Sequence, residues 1–252
     1  MINELTADNN LRPRATYILA FCCVMITGGT LMFPLLESTY GAGNFGGIPI
    51  LSRLTVPFQH GFGFTPKVVH LSIMLVLFGL ISRPVEKVLG TTRFVLFTGV
   101  CWLFYVVVHR VFEMQGHGFH PIIWSYSIIL WYILGEAKYI KTRSSFQENY
   151  RLLRLVISLM WVVAPVMMMF IPLHFSNTAE TSLVESLWLG NIFHILALLL
   201  GVAGILFFKP IIRKRLLLLA RKKKIENSKY DRKVSFACIL IPIFLLTVFF
   251  LR

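Results

Sequence analysis

Charged side chains are scarce in this chain of 252 residues, where Asp, Glu, Lys and Arg make up 14% of the sequence against 56% hydrophobic residues. This composition excludes an ordinary water-soluble domain and makes the lipid bilayer the main solvent. Cysteine is scarce as well, and the four cysteines lie in three apolar runs without the spacing of metal ligands. The first apolar run lacks an A-x-A cleavage pattern, which favours a retained span over a signal peptide.

Seven apolar runs have about the length that a helix needs to cross the hydrocarbon core. The runs are 15–36, 68–82, 92–112, 119–135, 152–173, 184–208 and 234–251. They predict an all-α membrane protein with an N-terminal tail, a six-span core that includes a long outer loop, a basic cytoplasmic loop and a seventh span. These regions are 1–14, 15–208 with its loop at 37–67, 209–233 and 234–252.

The net charge of +14 would suit a nucleic-acid binder if it were spread over a folded surface. Instead, all but four of the 25 Lys and Arg residues fall in the N-terminal tail and in alternate connections between spans. By the positive-inside rule this side is cytoplasmic, so we expect a multi-pass protein of the plasma or inner membrane with its N-terminus in the cytoplasm. The expected partners are the lipid bilayer and membrane proteins or transmembrane helices, not nucleic acid.

All seven histidines fall in the outer half of this topology. Three of them are assigned to the interface, where water and headgroups satisfy an imidazole: His60, His109 and His174. At 1.5 Å rise per residue, His70, His120 and His194 reach a common level about 20 Å above the inner ends of their helices. An ionisable group at that depth favours a functional site, the alternative being a structural hydrogen bond between helices.

Several short motifs follow one another in order from Phe58 to Leu206. They are His60-Gly61, His70 with Met74, Phe78-Gly79, Glu86 with Gly90, Arg93-Phe94 and the run HILALLLGVAG from His194. This order resembles the rhomboid family of intramembrane serine proteases. The resemblance implies a rhomboid-like six-helix bundle plus a C-terminal seventh transmembrane helix, with Glu86 and Gly90 in an inner-loop structural motif. It also implies that Ala197 and Gly201 let the sixth span pack closely against the fourth.

The resemblance places His194 at the position of the catalytic base, but two other chemical positions depart from the family. A rhomboid has G-x-S-G at the start of its fourth span, where this chain has Gly118-Phe119-His120-Pro121. His120 therefore stands at the nucleophile position. In the oxyanion region, near His70, Met74 stands where the family has an asparagine. Acyl transfer needs an activated hydroxyl or thiol beside its base and donors aimed at the oxyanion.

Two serines further along the fourth span, Ser125 and Ser127, lie deeper than His120 and are predicted to bond back to helix carbonyls. The leading hypothesis is therefore a rhomboid-like pseudoprotease, which binds transmembrane or membrane-associated proteins without cleaving them and needs no cofactor. An active rhomboid-type protease with a non-standard nucleophile remains an alternative. So does a zinc site with an open coordination position. Its candidate ligands are His120, His194, His70, His117 and Glu113.

Overall fold

The computed structural model describes residues 13–33, 58, 64–111, 120–139, 153–162 and 183–221, and the regular structure in this part of the chain is helical. The helices, numbered in chain order, are α1 Arg14–Met32, α2 Phe64–Leu89, α3 Thr91–Val111, α4 His120–Tyr139, α5 Leu153–Val162 and α6 Leu183–Arg221. The predicted all-α class is confirmed for these residues. The seventh span, predicted at 234–251, and residues 37–57 and 59–63 of the predicted outer loop lie outside the described residues. The end of that loop, 64–67, is instead the first turn of α2.

Four helices in the described part of the chain are long and apolar enough to cross a membrane. These candidate spans are Arg14–Met32, Val68–Leu89, Thr91–Val108 and His194–Leu218. Large apolar side chains also cover their outward faces, as with Phe207 of α6, whose side chain is 74% exposed. Exposed aromatic and aliphatic groups on helices that satisfy their own backbone hydrogen bonds suit contact with lipid. The structure therefore indicates a membrane protein.

Two helices run further than the apolar runs predict. Helix α2 continues to Leu89 instead of ending at 82, and α6 continues to Arg221 instead of ending at 208. Hydropathy falls where charged residues begin, but Arg and Lys are good helix formers whose aliphatic stems can pack while their charges reach water. The first part of the predicted basic loop, 209–221, is therefore a continuation of α6.

Helix α4 lies at the centre of the described bundle. It packs most extensively against α6 and α2. Its consecutive residues 121–127 are all buried, so this stretch has no face left for solvent or lipid. A helix that is apolar and buried all round is a core helix, and its neighbours position whatever chemistry it carries.

A single carboxylate joins the ends of three helices. Glu86, near the end of α2 and 1% exposed, accepts hydrogen bonds from the backbone N–H groups of Ala15 and Thr16 at 3.0 and 2.8 Å. It also accepts the hydroxyls of Thr16 at 2.7 Å and of Thr91, in α3, at 2.9 Å. Gly90, at φ +84°, turns the chain between α2 and α3. The carboxylate thus satisfies the N-terminal donors of α1, which lacks a side-chain cap of its own.

Charged side chains gather at this same end of the bundle. Glu86, near the end of α2, bonds the start of α1 there. Glu136, near the end of α4, forms an ion pair with Arg213 of α6. We call this region the charged end. It contains every Asp, Glu, Lys and Arg whose side chain is described: Arg14, Arg83, Glu86, Lys87, Arg93, Glu136, Arg154, Lys209, Arg213, Lys214 and Arg215.

Candidate functional site: the α4–α6 crossing

An imidazole and an indole stack on each other where α6 crosses α4. The rings of His194 and Trp124 lie 4.2 Å apart between centroids, with 19° between their planes. Only 5% of His194 is exposed. A flat ring held face to face against a larger aromatic ring has little freedom to turn. The crossing therefore buries one histidine in a defined orientation, away from the charged end.

Small residues on α6 allow the two helices to approach closely. A Cβ atom added at Gly201 would lie 2.5 Å from the carbonyl oxygen of Ser125 in α4. One added at Gly204 would lie 3.1 Å from Cδ1 of Ile129 in α4 and 2.8 Å from the ring of Phe97 in α3. Ala197, one turn before Gly201, is buried in the same contact surface. Small side chains permit this backbone-to-backbone packing in lipid, where van der Waals contact drives helix association.

The hydroxyl of Ser125 reinforces the crossing. Its Oγ lies 2.9 Å from the carbonyl oxygen of Pro121, one turn back, and 2.7 Å from that of Ala197 in α6. Its single hydroxyl proton is shared between these two acceptors. The prediction that Ser125 bonds back to a helix carbonyl is confirmed, and the same hydroxyl also ties α4 to α6.

Ser127 links α4 to α5 in a different direction. Its hydroxyl donates to the carbonyl oxygen of Trp124 at 2.7 Å and accepts a hydrogen bond from Nε1 of Trp161 at 2.8 Å. The predicted bond to a helix carbonyl is again confirmed. Because both serine hydroxyls are engaged in this way, neither is directed at the imidazole of His194 as the nucleophile of an acyl transfer must be.

The other residues predicted for the site are spread over two helices. Met74 of α2 is buried in the core, and His70 lies one turn earlier and is partly buried. A thioether has no proton to donate to an oxyanion, so Met74 cannot perform the role of an asparagine at that position. The backbone of His120 begins α4, one helical turn before Trp124. Its side chain lies outside the described part of the chain, as do His117 and Glu113.

The zinc alternative depends on those same residues. Among the side chains that the structure describes, no group of three His, Cys, Asp or Glu could hold a metal ion. Two of the four candidate histidines, His117 and His120, are not in that set. A zinc site that includes them therefore stays a prediction.

Trp124 was not among the residues predicted for the site. The signal in the sequence is its position one turn after His120, on the helix that meets the span carrying His194. A tryptophan within an apolar run usually packs against lipid or other side chains, so its contact with an imidazole follows only from the helix packing.

These observations define a class: an all-helical membrane protein whose two most extensively packed helices meet at a buried histidine. No protein-family model, curated protein or solved structure matches the chain. The residues of the α4–α6 crossing are therefore the basis for any statement about function.

Proposed function

We propose that this chain is a rhomboid-like pseudoprotease, a multi-pass membrane protein that binds transmembrane or membrane-associated proteins without cleaving them. The observation that carries the proposal is the environment of His194. The imidazole is buried against Trp124, and the serines nearest along α4 donate their hydroxyls to main-chain carbonyls. A buried imidazole whose neighbouring α4 serines are both engaged by carbonyl oxygens suits a retained framework that has lost its hydrolytic chemistry.

The framework itself supports the family resemblance. Glu86 and Gly90 form the α2–α3 corner, where the resemblance requires an inner-loop motif. Gly201 lies in van der Waals contact with α4, where the resemblance requires a small residue. These positions are far apart in the sequence and serve packing, so they remain useful to a protein that has stopped being an enzyme.

The two departures explain why cleavage is not expected. Hydrolysis of a peptide bond needs a nucleophile that the base can deprotonate and donors that stabilise the oxyanion. His120 replaces the serine of the family pattern, and Met74 replaces the asparagine. Loss of a single oxyanion donor commonly costs about 10²–10³ in kcat, and loss of the nucleophile costs more.

The proposal includes a cytoplasmic N-terminus and seven spans in the plasma or inner membrane. The charged end supports this orientation, because Lys and Arg are favoured on the cytoplasmic side of a membrane. α1 begins at that end with Arg14, and α6 reaches it with Arg213 and Lys214.

Cleavage of a fluorescent rhomboid-type transmembrane substrate in liposomes tests the proposal. We expect no turnover by the parent. His120→Ser restores a serine at the family's nucleophile position, and any activity it gains should be abolished by adding His194→Ala. Ser125→Ala is the matched control. The Ser125 hydroxyl already bonds carbonyl oxygens of α4 and α6, so its removal should not abolish any activity that His120→Ser gains. Parent turnover that requires His194 would make the chain an enzyme and refute the pseudoprotease.

A second experiment addresses partner binding directly. Partners are photo-crosslinked in the native membrane, co-purified with the full-length chain and compared between the parent and the variants His120→Ala and His194→Ala. A pseudoprotease that recognises partners through its helical surfaces should retain most of them in both variants. The metal site would be favoured instead if protein purified without chelator contained stoichiometric zinc, and if His194→Ala lost both the zinc and the partners.

A further inference from the structure

Among the described side chains, basic groups outnumber acidic groups at the charged end. These side chains are nine Lys and Arg residues and two glutamates. Glu86 is occupied by the start of α1 and by Thr91, and Glu136 forms a two-pronged ion pair with Arg213 at 2.9 and 3.1 Å. Neither carboxylate accepts a hydrogen bond from Arg93 or Arg215 in the described part of the bundle.

Two of those cations meet at the α2–α3 corner. Nη1 of Arg93, in the first turn of α3, donates to the carbonyl oxygen of Leu89 at 3.4 Å. Nη2 of Arg215, from α6, reaches within 3.5 Å of the place that a Cβ atom would occupy on Gly90. The positive charges of the two arginines repel each other. Helices that are far apart in the sequence thus bring like charges together beside one turn.

The guanidinium groups at this corner retain donors that the described chain does not use. A guanidinium has five N–H donors, and Arg93 directs one of them at Leu89. Arg215 is partly buried, and no carboxylate or carbonyl oxygen of the described residues accepts a hydrogen bond from its guanidinium. Like charges that converge without an acid between them are costly unless an anion joins them.

We propose that Arg93 and Arg215 form a binding site for a phosphate group at the α2–α3 corner, supplied by an anionic lipid headgroup or by a soluble phosphate compound. Guanidinium groups match phosphate geometry and bind it through paired hydrogen bonds. The corner lies where the candidate spans α2 and α3 end and begin. The ends of membrane spans are where anionic lipid headgroups meet basic side chains. This inference does not depend on whether the α4–α6 crossing is catalytic.

Native mass spectrometry of the full-length protein in detergent tests the site. The protein is titrated with phosphatidylglycerol, with phosphatidylcholine of the same acyl chains, and separately with glycerol 3-phosphate. We expect the double variant Arg93→Gln/Arg215→Gln to weaken binding of phosphatidylglycerol or of glycerol 3-phosphate about tenfold or more. Preference for phosphatidylglycerol with no binding of glycerol 3-phosphate identifies the lipid as the source. Binding of glycerol 3-phosphate alone identifies a soluble ligand.

The matched control is Lys209→Gln/Lys214→Gln, which removes the same charge from exposed positions on the same helix. It should change the affinity less than about twofold, because both lysines are exposed and Arg215, not a lysine, is the side chain found beside Gly90. Equal binding by the parent and the arginine double variant overturns the proposal, as does an equal loss in the lysine control. If the glutamine variant fails to fold, Arg93→Lys/Arg215→Lys replaces it. The lysines keep the charge but lose the paired hydrogen bonds, so unchanged affinity there would also overturn the site.

Discussion

Gly201 and Ser125 face each other across the α4–α6 crossing with no room for another carbon atom. A Cβ added to Gly201 would lie 2.5 Å from the carbonyl oxygen of Ser125 and 3.1 Å from its α-carbon. Both obstacles are backbone atoms of a buried helix, so a rotamer change cannot relieve the contact. Any side chain at Gly201 must push the two helices apart, which would also separate His194 from Trp124.

The first prediction concerns Gly201→Ala. We expect it to lower the free energy of unfolding by about 1–3 kcal/mol, the usual range for overpacking a close contact. Reversible unfolding in mixed detergent–SDS micelles gives this value. Gly79→Ala is the matched control, because its Cβ meets nothing within 4 Å. In a helix, that control should be neutral or stabilising by up to about 1 kcal/mol. Equal effects of the two substitutions would contradict the close crossing.

The second prediction compares two carboxylates at the charged end. Glu86→Ala leaves donors of α1 and the Thr91 hydroxyl without their acceptor, so we expect a loss of about 3 kcal/mol or more in the free energy of unfolding. Glu86→Gln keeps one acceptor oxygen and should cost less than the alanine variant. Glu136→Gln should cost less than about 1 kcal/mol, because its partner Arg213 is 52% exposed.

The same unfolding measurement serves all three glutamate variants. If Glu86→Ala cost less than about 1 kcal/mol, as expected for Glu136→Gln, the attachment of α1 through Glu86 would not be a major contribution to stability. If Glu86→Gln matched the parent, the acceptor role of both carboxylate oxygens would be refuted.

The third prediction concerns the stacked pair. Trp124→Ala removes the indole that covers His194 and should destabilise the fold by about 3–5 kcal/mol, whereas Trp124→Phe keeps an aromatic face and should cost less. Acylation of His194 by diethyl pyrocarbonate, followed by peptide mass spectrometry, should be slow in the parent and faster in Trp124→Ala. Trp102→Ala, which removes an indole elsewhere in the bundle, should leave the rate for His194 unchanged. Fast acylation of the parent would contradict the burial.

The fourth prediction concerns orientation. After replacement of the native cysteines, Lys214→Cys at the charged end and Phe33→Cys at the far end of α1 are each labelled with a membrane-impermeant maleimide. With a cytoplasmic N-terminus, Phe33→Cys should be labelled in intact cells, and Lys214→Cys only after the membrane is opened. The reverse pattern would place the charged end outside the cell.

Hydropathy was sufficient to predict the helical membrane class, because a run of about 20 apolar residues is typical of a membrane-spanning helix. It placed the ends of α2 and α6 too early, since hydropathy falls at Arg83 and Lys209 although both helices continue past the proline that follows. Helix length past the membrane boundary depends on tertiary contacts, among them Arg213 with Glu136. Those contacts join residues 77 positions apart, which no local pattern contains.

The candidate site was predictable only in part. Depth along the helix singled out His194, since an ionisable group in an apolar run is costly to bury. The ring that covers it was not predictable, because which face of α4 meets α6 depends on the close approach at Gly201. The convergence of Arg93 and Arg215 follows from the same long-range packing and has no signature in either segment alone.

The segregation of charge to one end also bears on how long the protein keeps its orientation. Turning the inserted bundle over would carry at least the nine Lys and Arg side chains described at the charged end through about 30 Å of hydrocarbon. At about 2.5–3.5 kcal/mol for each charge at the centre, the barrier far exceeds thermal energy. The direction in which the helices first enter the bilayer is therefore kinetically trapped, and a chain inserted backwards would have to be degraded because it could not flip.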